Sequence, residues 1–299
     1  MSLRLKAVFR RVVTQPLEAA VAFLFYVFFR LLPLDWASAI GGFLGRTLGP
    51  VLPASARARR NLAMAFPEKS DGERAVILRA MWDNLGRVAG EVPHLARLKV
   101  YEAASRVEVL GAEALDAIRD AGKPVMMFGG HFGNWEILPY VVAQRGVALD
   151  FAYRQANNPY VERLYQAIRK PAGGGLIPKG AAGARQMLKA IDAGRSLGFL
   201  IDQKMNDGIA VPFFGRDAMT ATAMADFALR CASPVVPVMV ERLIGAHFRV
   251  TVCPPLDVTL SGERHADVAA IMSAVNATLE GWIRARPAQW LWLHNRWPE

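Results

Sequence analysis

Through the middle of the chain, short apolar runs closed by glycine or proline alternate with longer stretches whose apolar positions recur every three or four residues. The first kind predicts strands and the second helices. Strands are predicted at 125–128, 149–153, 175–178, 196–201, 234–240 and 248–253, and helices at 158–170, 182–193 and 222–231, with a short strand leading into a helix across 107–121. This alternation predicts an α/β domain with a mixed, largely parallel sheet flanked by helices. Such sheets bind ligands beyond the carboxyl ends of their strands. His131, Arg154 and Asp202 each follow a predicted strand, so all three can line one crevice.

The sharpest change of pattern lies in VMMFGGHFGNWEILP, residues 125–139. The apolar run breaks at Gly129 and Gly130, His131 enters a glycine-containing turn, and Asn134 is placed to cap a helix opening at Trp135. On one continuous helix His131 and Glu136 would point about 140° apart. A contact between them therefore requires His131 in the loop and Glu136 in the first helical turn. A carboxylate meeting the imidazole would fix its tautomer and leave the other nitrogen as a general base for a hydroxyl. The same residues also fit an ordinary strand end followed by an acid that the helix dipole favours. Arg154 has the fork geometry to grip a phosphate, or to make a structural ion pair.

Toward the N-terminus the pattern becomes continuously apolar. Arg4, Lys6, Arg10 and Arg11 precede Pro16 with no acid among them. The uncharged run 19–29 would cover about 16 Å as helix, and 16–33 about 27 Å, close to a hydrocarbon core. Glu18 and Arg30 sit near its ends, within reach of headgroups. The basic leader favours a cytoplasmic N-terminus, and no small-residue cleavage site follows Arg30. A full crossing would put the rest of the chain on the far side. The expected arrangement is an anchor lying in, or re-entering, the inner leaflet with help from 34–52; a buried core helix is the alternative. The expected division is a membrane-anchoring region at 1–53 and a catalytic domain at 54–299. Arg57, Arg59 and Arg60 can meet acidic headgroups or form a solvated face. Residues 70–97 predict a helix with Ile77, Met81, Leu85 and Val88 as a core stripe.

Composition sharpens this picture. A hydrophobic share of 53% and mean hydropathy of +0.19 are high for a soluble protein, while 21% charged residues are too many for a polytopic one. The net charge of +10 implies an anionic partner without choosing among nucleic acid, lipid and acidic protein. Cys231 and Cys253 lack metal-ligand spacing and read as reduced thiols. The glycines at 173–175 lack the spacing of a phosphate loop and predict a turn. Residues 213–215 predict a tight loop, and Thr220 and Thr222 a capped helix start. Trp290, Trp292, His294, Arg296 and Trp297 alternate like a strand or extended tail, suited either to a membrane interface or to the core.

Taken together, GGHFGNWE, the segment RRNLAMAFPEKSDGERAVILRAMWDNLGRVAGE at 59–91, YRQANNP, IDQK, VPFFGRDAMTAT and WLWLHNRW resemble, in order and across nearly the whole chain, the bacterial late acyltransferases of lipid A biosynthesis, the lauroyl and myristoyl transferases. The resemblance implies a glycerol-phosphate acyltransferase-like fold, with His131 and Glu136 as the catalytic pair; the family varies between Asp and Glu at the second position. It assigns Arg154, Gly130, Asn134, Asp202, Gln203 and Lys204 to substrate binding. The implied reaction moves a fatty acyl chain from an acyl carrier protein thioester to the hydroxyl of a 3-hydroxyacyl chain on a lipid A precursor. It takes place at the inner membrane of a Gram-negative bacterium, with the site facing the cytoplasm. Backbone N–H groups of 130–133, or Arg154, are the expected oxyanion donors. No serine or cysteine in the motif calls for an acyl-enzyme, and no metal or cofactor is expected. The expected partners are the acidic carrier protein, the lipid A precursor and inner-membrane lipids, with no nucleic acid, since aromatic and basic residues are not interleaved in a binding motif. The rival readings are a related acyltransferase acting on another glycolipid or lysolipid and, resting on charge alone, a non-catalytic membrane or nucleic-acid-binding protein.

Overall fold

The computed structural model describes residues 9–297, so Arg4 and Lys6 of the basic leader lie outside the described residues. The framework is a sheet of seven strands: β1 (Val107–Leu110), β2 (Met126–Gly129), β3 (Leu149–Tyr153), β4 (Leu176–Pro178), β5 (Ser196–Leu200), and two later strands. Between β5 and these lies a separate antiparallel hairpin of β6 (Ile209–Phe213) and β7 (Arg216–Thr220); β8 (Val235–Arg242) and β9 (Phe248–Val252) then complete the sheet. The order is β1-β9-β8-β2-β5-β3-β4. From β8 to β4 all neighbours are parallel, while β9 runs antiparallel to β8 and carries β1 parallel to itself. The sheet is thus mixed and largely parallel, as the alternation predicts. Central strands covered on both faces need near-continuous apolar sequence, and MMFG of β2 is buried throughout.

Helices cover both faces. The chain opens with a π-helical turn (Arg10–Thr14) running into α1 (Gln15–Leu31), then α2 (Leu34–Leu48), α3 (Ala54–Ala65) and α4 (Asp71–Glu91). Later come α5 (Ala112–Ala121), α6 (Leu138–Gln144), α7 (Pro159–Arg169), α8 (Ala181–Asp192), α9 (Ala223–Arg230) and α10 (Arg264–Ala285). Ser70 and Glu73 form a reciprocal capping box at the start of α4, the two orphan N–H groups being met by side chains. Met81 and Val88 are buried and Ile77 and Leu85 pack beside the core, so the predicted stripe faces inward. The α helix ends at Glu91, and a 3₁₀ turn (Val92–Arg97) completes the predicted span around Pro93.

The segment 34–52, expected to help anchor the chain, is largely the helix α2, which packs on α4. Their backbones approach so closely that a Cβ on Gly41 would lie 2.2 Å from the Gly86 carbonyl oxygen, and one on Gly45 would lie 2.1 Å from that of Trp82. Away from this crossing α2 exposes Trp36, Phe43 and Leu48, and α1 exposes Leu17, Val21, Phe23, Leu24, Phe28 and Leu31. The continuous helical stretch Arg10–Leu31 is long and apolar enough to cross a membrane by length and composition.

Two regions depart from the sequence reading. The tight loop predicted at 213–215 is the turn of the β6–β7 hairpin, whose two strands the sequence reading omits. The turn places Phe214 and Gly215 at φ of 54° and 68°, the left-handed pair that matches strand twist. Thr220 lies within β7, and Thr222 occupies the N-cap position of α9 without a side-chain capping bond. The predicted elements also omit α10, although its buried Val268, Ile271, Met272, Val275, Leu279 and Ile283 follow helical spacing.

Candidate active site

Strand pairing decides which carboxylate meets His131. In the β2–β5 ladder Gly129 lies opposite Leu200, so two residues further on His131 and Asp202 emerge side by side at the carboxyl edge of the sheet. Asp202 Oδ1 lies 2.7 Å from His131 Nδ1, and its Oδ2 accepts the His131 backbone N–H at 2.6 Å and the Trp290 indole N–H at 2.8 Å. A carboxylate only accepts, so Nδ1 carries the proton and Nε2 presents its lone pair. Burial alone would push the Asp202 carboxyl up. The charge that His131 bears when protonated and its hydrogen bonds, joined by His294, hold it well below the usual carboxylate range. Asp202 therefore stays ionised and fixes the tautomer that a general base requires.

The carboxylate expected at the imidazole, that of Glu136, is engaged elsewhere. It sits in a 3₁₀ turn (Trp135–Ile137), where Oε2 pairs with Arg169 at 2.6 Å and Oε1 accepts the Trp135 indole N–H at 2.9 Å. Arg169 lies over the rings of Phe151 and Tyr165. The loop geometry explains the exchange. Asn134 caps the turn as predicted, its Oδ1 accepting the Glu136 N–H at 3.2 Å, and the carboxylate extends toward α7.

Of the backbone donors expected for an oxyanion, those of residues 131 to 133 are committed. The N–H groups of His131, Phe132 and Gly133 donate to Asp202, to the Gly130 carbonyl at 2.8 Å and to the Gln289 carbonyl at 3.0 Å. Gly130 packs against the site, where an added Cβ would lie 3.1 Å from Asp202 Oδ2. The Asn134 side chain is fully buried and turned away from the crevice, its amide donating to Glu91 at 2.8 Å. Gln203 remains at the imidazole, its amide nitrogen 3.4 Å from His131 Nε2. Arg154 follows β3 and Lys204 follows Asp202, and neither makes an ion pair among the described residues.

Several groups at the site carry no signal in local sequence. Lys179, just past β4, feels both Asp202 and Arg154; burial lowers its pKa, Asp202 opposes that shift and Arg154 adds to it. His294 lies edge-on to His131 with ring centroids 4.7 Å apart, and burial, with His131 adding, brings it down to about 4. It comes from the C-terminal segment, where Trp290, Trp292 and Trp297 are buried in the core and not displayed at a surface. This segment pairs with the loop through a Phe132–Trp290 bridge and the bond from Leu291 N–H to the His131 carbonyl. Asn61 of α3 clamps it from outside, donating to the carbonyls of Trp292 and His294. Arg57 and Arg60, expected at headgroups or in a solvated face, hydrogen-bond the Leu293 carbonyl and Asn295.

Next to Gln203, which touches the imidazole, an apolar cavity of about 120 Å³ runs between β5, α8 and α9. Met187, Phe199, Ile201, Met205, Met224 and Phe227 wall it, while Lys179 and Gln203 provide polar groups. A general base, an ionised carboxylate fixing it, loose cations and an apolar slot together suit proton abstraction from a hydroxyl with an aliphatic chain held alongside.

Comparison with known proteins agrees with this chemistry. The family model of bacterial lipid A biosynthesis acyltransferases matches residues 9–299. The chain is similar to lipid A biosynthesis acyltransferase 2 of Shigella flexneri, 26% identical over 277 residues that cover 88% of this chain and 84% of the relative. It is 25% identical over 268 residues to the lipid A biosynthesis myristoyltransferase of Escherichia coli K12, covering 88% and 81%, and 23% identical over 250 residues to the lauroyltransferase of the same organism, covering 79% and 76%. With the family match running through every strand and helix that builds the site, the chain belongs to the bacterial lipid A biosynthesis acyltransferases and is an acyltransferase enzyme.

Proposed function

We propose that this acyltransferase moves a fatty acyl chain from an acyl carrier protein thioester to the hydroxyl of a 3-hydroxyacyl chain on a lipid A precursor. The observation that carries the reading is the unprotonated Nε2 of His131, its tautomer fixed by Asp202 and its lone pair met by the Gln203 amide at 3.4 Å, with Gln203 also lining an apolar cavity. His131 Nε2 takes the hydroxyl proton as that oxygen attacks the thioester carbonyl. The tetrahedral intermediate then collapses, the C–S bond breaks, and the imidazolium returns the proton to the departing thiolate. One ester and one thiol result. Asp202 stabilises the imidazolium throughout, and Trp290 keeps the carboxylate in place. Arg154 and Gln203 supply charge and hydrogen bonds to the developing oxyanion; one such donor is worth about 3 kcal/mol of barrier. Glu136 acts through Arg169 to shape the wall of the site. The acyl chain occupies the Met187–Phe227 side of the cavity, and Lys179 and Lys204 draw the phosphorylated acceptor or the acidic carrier toward the mouth.

The exposed apolar residues of α1 and α2 seat the protein in the inner leaflet of the inner membrane, with residues 1–53 as the anchoring region and the site on the cytoplasmic side. Mass spectrometry of lipid A from cells with and without the gene tests the reading. Loss of one acyl chain, restored by the wild type and not by His131→Ala, is expected. Unchanged lipid A in the deletion strain would redirect the search to another glycolipid or lysolipid acceptor.

A further inference from the structure

Behind the His131 loop lies a buried polar network that the reaction does not use. Glu91, the last residue of α4, is fully buried. Its carboxylate takes a two-pronged ion pair from Arg242 at the end of β8, with Nη2 on Oε2 at 2.9 Å and Nη1 on Oε1. It also accepts the Ser38 hydroxyl of α2 at 2.6 Å and the Asn134 amide at 2.8 Å. Two turns earlier on α4, Asn84 donates to the Gly133 carbonyl at 2.9 Å and accepts Arg242 Nε at 2.8 Å. The main chain of Arg242 holds the Gln289 side chain by two bonds of 2.8 Å, and the Gln289 carbonyl in turn accepts the Gly133 N–H. Residues 133 and 134 are thereby gripped from α4, β8 and the C-terminal segment at once. Gly133 has no slack of its own: its φ is +57°, and a Cβ there would lie 2.1 Å from the Val240 carbonyl oxygen.

We propose that Glu91 and Arg242 are positioning residues, which through Asn134 and Asn84 set the His131 loop against Asp202 and carry the position of α2 to it. The inference rests on the acyl-transfer reading for its kinetic effect. A desolvated ion pair adds little net stability compared with apolar packing, and here every remaining lone pair points at the catalytic loop or at α2. Because α2 and α4 touch backbone to backbone, a displacement of α2 moves Glu91 and Asn84 with it.

The test uses full-length wild type, Glu91→Gln, Asn134→Ala and the double variant. Acyl transfer from a carrier-protein thioester to extracted lipid A precursor is measured alongside hydrogen–deuterium exchange of residues 126–137. Each single variant is expected to lower kcat by about a hundredfold, the loss that an ångström of misplacement brings, with KM for both substrates within about twofold. Exchange at 131–136 rises, and the double variant is no slower than the worse single one, since both act through one joint. Asn134→Ala leaves the ion pair intact and carries the test if Glu91→Gln fails to fold. Folded variants with wild-type kcat and wild-type exchange, or losses that multiply in the double variant, overturn the inference. A wild type inactive on this acceptor would defeat the acyl-acceptor reading, while the exchange data alone would still decide whether the joint holds the loop.

Discussion

At the scale of single residues, the site is governed by what Asp202 accepts. Asp202→Asn removes the carboxylate that fixes the His131 tautomer and leaves one acceptor oxygen where the His131 Nδ1–H, the His131 backbone N–H and the Trp290 indole now use two. A loss in kcat of about a thousandfold or more is expected with little change in KM, by analogy with other base-orienting aspartates. Glu136→Ala acts differently, because it strands Arg169, a guanidinium only 10% exposed in its side chain. Breaking a buried pair in this way costs about 3 to 5 kcal/mol, which denaturant titration would read. His294 gives the fold a pH dependence. Its folded pKa of about 4 lies below the 6.5 of a free imidazole. The unfolded chain therefore binds the proton first, and stability is full above about pH 6.5 and falls as the pH drops toward 4. The loss amounts to about 3 kcal/mol. His294→Gln should flatten the melting temperature between pH 7 and pH 5, and an unchanged slope would remove His294 as its source.

At the scale of elements, most of the framework is written in local pattern. Strand β3 coincides with the predicted 149–153, and α7 and α8 differ from prediction by one residue at either end. His131 was legible because glycines interrupt a fully apolar strand just before it. The role of Asp202 was not, because it depends on β5 lying beside β2, and strand order is a long-range property that no window of sequence contains. Trp290 and Lys179 were hidden for the same reason, each reaching the site from a distant element. The strands of the hairpin carry little signal because Phe214 is a bulky residue at a left-handed turn position, where Asn, Asp or Gly is the usual mark of a hairpin. Elements also set two outcomes that can be measured. Gly86→Ala puts a methyl group against the α2 backbone, 2.1 Å from the Gly41 carbonyl oxygen, and should cost about 2 kcal/mol or more in spite of better helix propensity. Ala184→Phe, in the wall of the apolar cavity, should shift the transferred chain toward shorter lengths. Each methylene excluded forfeits about 0.8 kcal/mol of burial, and the chain length in isolated lipid A would report the change.

At the scale of the whole molecule, the protein joins an apolar pair of helices to an α/β sheet through contacts that end at the catalytic loop. The C-terminal segment closes the site from the opposite side. Its contacts span long sequence separations among the described residues: Arg57 reaches Leu293 across 236 positions, and Trp290 reaches Asp202 across 88. Contacts of such separation incur their loop-closure entropy before they return any stabilisation. The sheet and most helices can therefore form while Asp202 still lacks its indole donor and His131 its backbone partner in Leu291. On dilution from denaturant, helical circular dichroism should recover ahead of acyl-transfer activity, so that the enzyme passes through a folded-looking interval in which it cannot yet catalyse.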